Sequence, residues 1–295
     1  MTAQTAEKSL LTGRTRRSGR VAATCPLCGA DAPLRLQVSD ARVHRCDACS
    51  HCFSDPASLR CHEPYAAAYY DHAHPNWNAN PDRALFDRVL QTATALSGGG
   101  RLLDVGCSRM AFLEHAHRHG YPYELHGVDL AHHTPPHPAI RYTSSPIETF
   151  SPALQFAVIT SFMVIEHVHD PECFVQRLAA LGKPGALIII NTINDGSVLY
   201  RTARALACLG LAGPANRLYS HHHLHHFTTR SLADLVTRAG LRIRQSFFQE
   251  LPMNQIDHAP MSRLGRTITH LGIRGCFALG RLTGMTYSQT LIAQV

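Results

Sequence analysis

The stretch Arg101–Leu113, RLLDVGCSRMAFL, decides the fold. A short apolar run ends at Asp104, a turn follows at Gly106, and Ala111 onward reads as the start of a helix. A strand–turn–helix unit of this kind sets a cofactor against backbone N–H groups and the positive end of a helix. The next apolar run, Glu124–Leu130, carries Asp129 near its end. A carboxylate there can grip both hydroxyls of a ribose.

Outward from this unit the pattern alternates. A helical spacing of Leu85, Phe86, Val89, Leu90 and Ala93 precedes it and stops at Ser97-Gly-Gly-Gly100. After it come a helix near Ala111–His119 and strands at Glu124–Val128, Ile140–Thr143 and Phe156–Ser161. A helix near Pro171–Leu181 and a strand at Ala186–Asn191 follow. Strands alternating with helices predict a parallel, doubly wound α/β sheet.

The N-terminal part carries a different signal. Cys25-Pro-Leu-Cys28 and Cys46-Asp-Ala-Cys49 are two CxxC pairs. Two such knuckles close a tetrahedron of thiolates around Zn²⁺, and with four protein ligands the metal is structural. Leu34–Val38 and Arg42–Arg45 alternate like the strands of a ribbon. Cys52, Cys61, His44, His51 and His62 are nearby spare ligands, and Cys52 could replace Cys49.

The chain has 295 residues, 45% hydrophobic, and a formal charge of +7, enough for a full core and a small accessory module. Much of the charge is local. Lys8, Arg14, Arg16, Arg17 and Arg20 stand against Glu7 alone, and Arg263, Arg266, Arg274 and Arg281 lie in a stretch without acids. The first reads as a disordered basic tail. With no continuous apolar run at the N-terminus and no spanning segment, a cytoplasmic protein is expected. Ten cysteines in that compartment point to metal, not disulfides.

Four motifs, in order, resemble class I S-adenosylmethionine-dependent methyltransferases of the ubiquinone-biosynthesis-like subfamily. They are the Asp104–Leu113 turn, Val164-Ile-Glu-His-Val-His-Asp-Pro171, Gly182-Lys-Pro-Gly185, and His223-Leu-His-His-Phe-Thr-Thr-Arg-Ser-Leu232 with Ala239-Gly240. The CxxC ribbon, the Phe53-Ser-Asp-Pro56 turn and the Tyr65–Tyr70 linker resemble methyltransferases with an N-terminal zinc ribbon. Zinc-ribbon sugar C-methyltransferases look similar there, and usually continue into another domain.

The resemblance implies a seven-stranded Rossmann-like sheet with helices on both faces, closed by an antiparallel strand near Gln289–Val295. The expected organisation is a tail over 1–20, a zinc ribbon over 21–62, a linker with N-terminal helices over 63–97, and the methyltransferase domain over 98–295. Lid insertions are expected near 197–222 and 256–285. The resemblance also implies that Asp104 holds the methionine amino end of S-adenosylmethionine and that Gly106 and Ser108 bring backbone to it. Asp129 and Leu130 would meet the ribose side, Pro146 and Ile147 the adenine, and Phe162 the sulfonium. His167 is the expected general base, with Glu166 beside it; the alternative is that the pair orders its loop.

One departure stands out. The family's glycine loop has glycines where this chain has Ser108 and Met110. If the last needs positive φ, methionine costs about 1–3 kcal/mol there. Either Met110 lies over the cofactor or substrate, or cofactor binding is lost. The histidines at 221–223, 225 and 226 read as a lid packing on Phe227, with a metal at His223 and His225 as the alternative. The apolar stripe Met261, Leu264, Ile268, Leu271 reads as core-facing, or as a basic amphipathic helix resting on a membrane.

Three functions fit. One is methylation of a small-molecule acceptor, as in natural-product or sugar tailoring. A second is RNA base methylation, which the ribbon's few charges and lack of stacking aromatics disfavour. The third is a non-catalytic scaffold.

Overall fold

Neighbouring residues on each central strand point to opposite faces, and both faces are apolar. Leu102 and Leu103, Val158 and Ile159, Ile188 and Ile189, and Leu291 and Ile292 divide in this way between two buried clusters. The result is a three-layer α/β/α arrangement. The computed structural model describes residues 22–59, 75–257 and 262–295. The 1–20 tail, Cys61, His62 and the Tyr65–Tyr70 linker lie outside them.

The ribbon holds β1 (Ala22–Thr24), β2 (Asp31–Gln37), β3 (Arg42–Arg45) and β4 (Cys52–Ser54). The large domain follows with α1 (Pro75–Ala79), α2 (Arg83–Ser97), β5 (Gly100–Val105), α3 (Ala111–Arg118), β6 (Tyr123–Asp129), β7 (Ile140–Ser144) and β8 (Phe156–Phe162). It continues with α4 (Pro171–Leu181), β9 (Gly182–Ile193), α5 (Val198–Cys208), α6 (Gly213–Leu218), β10 (His225–His226) and α7 (Thr229–Arg238). Last come β11 (Arg242–Gln249), α8 (Arg263–Thr283) and β12 (Ser288–Gln294).

The main sheet has the order β11-β12-β9-β8-β5-β6-β7. Pairings from β9 to β7 are parallel, and β12 is antiparallel to both its neighbours. Helix starts follow local chemistry. Asp82 Oδ1 accepts the Leu85 N–H, Asp170 Oδ1 accepts two N–H groups of α4, and Thr228 and Ser231 form a capping box on α7. The edge strand β11 gave no clear sequence signal, because Arg242 and Arg244 sit on it and its first five residues are exposed.

The ribbon is welded to the large domain. β10 pairs antiparallel with β4, extending the ribbon sheet to five strands. Val38, Ala41 and Val43 pack with Tyr200 and Ala203 of α5 and with Ala215 and Tyr219 around α6. The 197–222 segment, expected as a lid, therefore buttresses the ribbon. The second expected insertion is α8, and its stripe is not core-facing: Leu264, Ile268 and Leu271 are all exposed.

Candidate cofactor and acceptor site

The carboxyl ends of β5, β6 and β8 meet at one edge of the sheet. Asp104 and Asp129 stand on adjacent strands, Asp104 opposite Gly127 in the register. Asp104 is buried; its Oδ1 accepts a 2.8 Å hydrogen bond from Thr160 Oγ1 on β8. Burial, against the Thr160 bond and reinforced by the nearby Asp129 charge, pushes the Asp104 carboxyl up to about 7. Thr160 drew no attention in the sequence, because only strand pairing brings it to Asp104.

Asp129 accepts the Ser108 N–H on Oδ2 at 2.8 Å and the Ala131 N–H on Oδ1 at 2.9 Å. Leu130 beside it is 59% exposed. The Ser145 N–H donates to the Asp129 carbonyl, drawing exposed Pro146 and half-buried Ile147 to the same edge. The ends of β5, β6 and β7 and the turns after them thus carry Gly106, Ser108, Asp129, Leu130, Pro146 and Ile147, together with the buried Asp104. Phe162, at the end of β8, is half-buried; its ring packs 4.8 Å from Phe112 and 5.7 Å from Phe86.

The turn shows where Met110 lies. Gly106, Ser108 and Met110 all have positive φ, +73°, +45° and +61°. A Cβ on Gly106 would collide with Val164 Cγ2, so glycine is required there for both conformation and space. Met110 is fully buried, in the cluster of Leu85, Phe86, Val89, Leu90 and Leu113 beneath the turn. Its side chain is enclosed by the core and not open to a ligand. The left-handed backbone costs about 1–2 kcal/mol, and burying the side chain gives back about 1.5–3 kcal/mol. The methionine holds the glycine-type turn through the core.

Glu166 and His167 follow β8. The Glu166 carboxylate is buried, accepts from Thr192 Oγ1 at 2.8 Å, and is pushed up to about 7 by burial. The Glu166 carbonyl accepts the N–H groups of Leu224 and His225. His167 Nδ1 lies 2.8 Å from the His222 carbonyl, which makes it the donor in that bond. The His223 ring packs edge-on at 4.8 Å. Donor atoms of Glu166, His167 and His223 lie within 4.8 Å of one another, close enough for one cation.

The other histidines part from this group. His225 Nδ1 is 3.0 Å from His51 Nε2, and His226 Nε2 is 3.1 Å from Ser54 Oγ. Both are buried in the seam with the ribbon, and burial lowers them to about 4 and about 3. The alternative of a metal at His223 and His225 does not fit: strand pairing with β4 commits His225 to the ribbon. The expected packing on Phe227 is present, with the His225 ring 5.8 Å from it, but His225 and His226 form a seam with the ribbon and not a lid.

In the ribbon, the sulfurs of Cys25, Cys28, Cys46 and Cys49 cluster within 4.8 Å of one another. Cys25 Sγ lies 3.6 Å from Cys49 Sγ, and Cys28 Sγ 3.4 Å from Cys46 Sγ. A zinc tetrahedron has edges of about 3.8 Å, so the donor set fits Zn²⁺. Cys52 is not a spare ligand: its thiol donates to Asp195 Oδ2 at 3.2 Å.

A cavity of about 730 Å³ opens between the ribbon, α5 and the start of α7. Arg35, Arg45, Arg201, Arg204 and Arg230 line it. Its acid, Asp195, is already held by Arg204 at 2.8 Å and by the Tyr219 hydroxyl at 2.5 Å.

Comparison with known proteins shows the family. A family model described as a methyltransferase domain matches residues 77–246, more than half of the chain. The chain belongs to this methyltransferase family. A ubiquinone biosynthesis O-methyltransferase of Bradyrhizobium diazoefficiens is 32% identical over 118 residues, 37% of this chain and 46% of that protein. The Bordetella avium protein of the same name is 29% identical over 183 residues, 57% of this chain and 74% of that protein. The chain thus spans about half the length of the first of these relatives. Among solved structures, a Burkholderia thailandensis 1,6-didemethyltoxoflavin N1-methyltransferase with bound S-adenosylhomocysteine is 16% identical, with a TM-score of 0.48. That match covers 86% of this chain and 99% of the other.

Proposed function

We propose that this methyltransferase moves a methyl group from S-adenosylmethionine to a small-molecule acceptor that carries an anionic group. The observation that carries the reading is the carboxylate pair, Asp104 and Asp129, on adjacent strand ends around the Gly106 turn. Two carboxylates that close repel, and a cofactor with a cationic amino end and a ribose diol satisfies both. Asp104 takes the amino end and Asp129 the hydroxyls. The Gly106–Ser108 backbone borders the methionine part, Leu130 the ribose side, Pro146 and Ile147 the adenine, and Phe162 the sulfonium side. Cys25, Cys28, Cys46 and Cys49 hold a structural zinc.

Methyl transfer is an in-line displacement, so alignment supplies most of the acceleration. His167, oriented by the bond from its Nδ1–H to the His222 carbonyl, takes the acceptor's proton as the new bond to carbon forms. Glu166, tied to Thr192 and to the chain at 224–225, positions that loop. The arginine cavity supports an anionic acceptor. Its wall at Asn194–Gly196 directly follows β9, whose Thr192 bonds Glu166.

Calorimetric titration of the zinc-loaded protein with S-adenosylmethionine and S-adenosylhomocysteine tests the reading. Micromolar binding that weakens at least tenfold in Asp129→Ala is expected. Absence of binding to the unaltered protein would overturn it.

A further inference from the structure

α8 packs on the protein with one side only. Along it, Phe277 and Gly280 are buried, while Leu264, Ile268, Leu271, Leu279 and Leu282 are 71%, 61%, 64%, 50% and 84% exposed. At 3.6 residues per turn these five positions fall within an arc of about 80°. That arc lies opposite Phe277 and Gly280. The solvent face of this helix is its aliphatic face, the reverse of an ordinary surface helix. Leu209 and Leu211, 78% and 61% exposed, follow α5, which packs along α8.

Charge selects what covers this surface. Arg263, Arg266, Arg274 and Arg281 are exposed on the same helix, which has no acidic residue. Arg263, Arg274 and Arg281 run along one flank of the stripe, where long side chains can lay their stems on apolar material and keep their charge at its edge. A second copy docking through α8 would bring these arginine rows together. The stripe is all leucine and isoleucine, without the Trp and Tyr anchors that protein interfaces favour. Among the described residues no helix is long and apolar enough to cross a membrane. A helix about 31 Å long with this pattern suits the plane of a lipid surface.

We infer that α8 is a membrane-docking helix: its Leu264–Leu282 stripe enters the acyl boundary of an anionic bilayer while its arginines meet the lipid phosphates. The inference does not rest on the transfer reaction or on cofactor binding.

Co-sedimentation of the full chain with phosphatidylcholine vesicles, alone or with one third phosphatidylglycerol, tests it. Binding to the anionic vesicles is expected, falling severalfold as salt is raised. It should fall at least tenfold in the Leu264→Ser/Ile268→Ser/Leu271→Ser variant and in Arg263→Glu/Arg274→Glu. Hydrogen exchange of the unaltered protein on the same vesicles keeps the test independent of how the variants fold. Protection gained over 263–283 supports the inference. Failure to bind anionic vesicles, or protection confined to other segments, overturns it. So does a dimer in sedimentation equilibrium that the triple serine variant dissociates, because a second copy would then be the occupant.

Discussion

The Gly106–Met110 turn and the His225–His226 seam both strain a local rule, and they do so in opposite ways. In the turn the strain is in the backbone: Ser108 and Met110 adopt conformations that suit glycine. In the seam the backbone is ordinary strand, and the cost is polar burial, with His51, His225, His226 and Asp195 enclosed. The turn is offset by one apolar side chain beneath it. The seam is offset by specific hydrogen bonds, Ser54 to His226, His51 to His225, and Asp195 to Tyr219 and Arg204. Apolar compensation tolerates substitution in small steps. A buried polar network does not, since each lost partner leaves another group unsatisfied.

Four experiments would break or sharpen that contrast. The largest effect is expected for Cys46→Ser, which removes one of four thiolates from the ribbon. In the zinc-loaded protein it should cost more than about 4 kcal/mol and lower the bound zinc, read by denaturant unfolding and metal analysis. Asp195→Asn, in the seam, comes next. It leaves the largely buried Arg204 guanidinium without its charge partner, for an expected loss of about 3 kcal/mol in the same unfolding assay.

Met110→Gly, in the turn, should cost less. Removing a buried methionine costs about 2–5 kcal/mol, and relieving the left-handed backbone returns about 1–2 kcal/mol. The net is a loss centred on about 2 kcal/mol, with cofactor affinity little changed. A gain in stability would show that the turn is not held through the core.

The smallest effects separate turn from seam by pH. Asp104, raised to about 7, keeps its proton in the folded protein after the unfolded chain has lost it, so its share of stability falls from about pH 4 to 7. His226, lowered to about 3, stays neutral while the unfolded chain takes up a proton, so its share falls as pH drops below about 6.5. Between pH 4 and 6.5 the two slopes oppose. Asp104→Asn should make stability rise more steeply with pH, and His226→Gln less steeply. Each change is at most about 1.4 kcal/mol per pH unit, read from unfolding midpoints across that range.

Much of the fold was legible because strands and helices write their burial as periodicity. Two-sided apolar runs such as Leu187–Ile190 announce a sheet covered on both faces, and Asp104, Gly106 and Asp129 sit where a strand–turn–helix unit needs them. The cysteine spacing was legible for a similar reason, since a knuckle is a local turn. The charged edge strand β11 was not. Neither was the Thr160–Asp104 bond, which depends on β8 lying beside β5.

The sequence by itself determined the alternating architecture, the carboxylate pair at the turn and the clustering of four thiols, because each depends on spacing within a few residues. Only the tertiary structure decided that Met110 supports the turn from below, that His225 and His226 join the ribbon instead of a lid, and that the stripe of α8 faces outward. Periodicity says that a helix has an apolar side. Which neighbour that side meets depends on residues far away in the chain, and for α8 those neighbours took the opposite side.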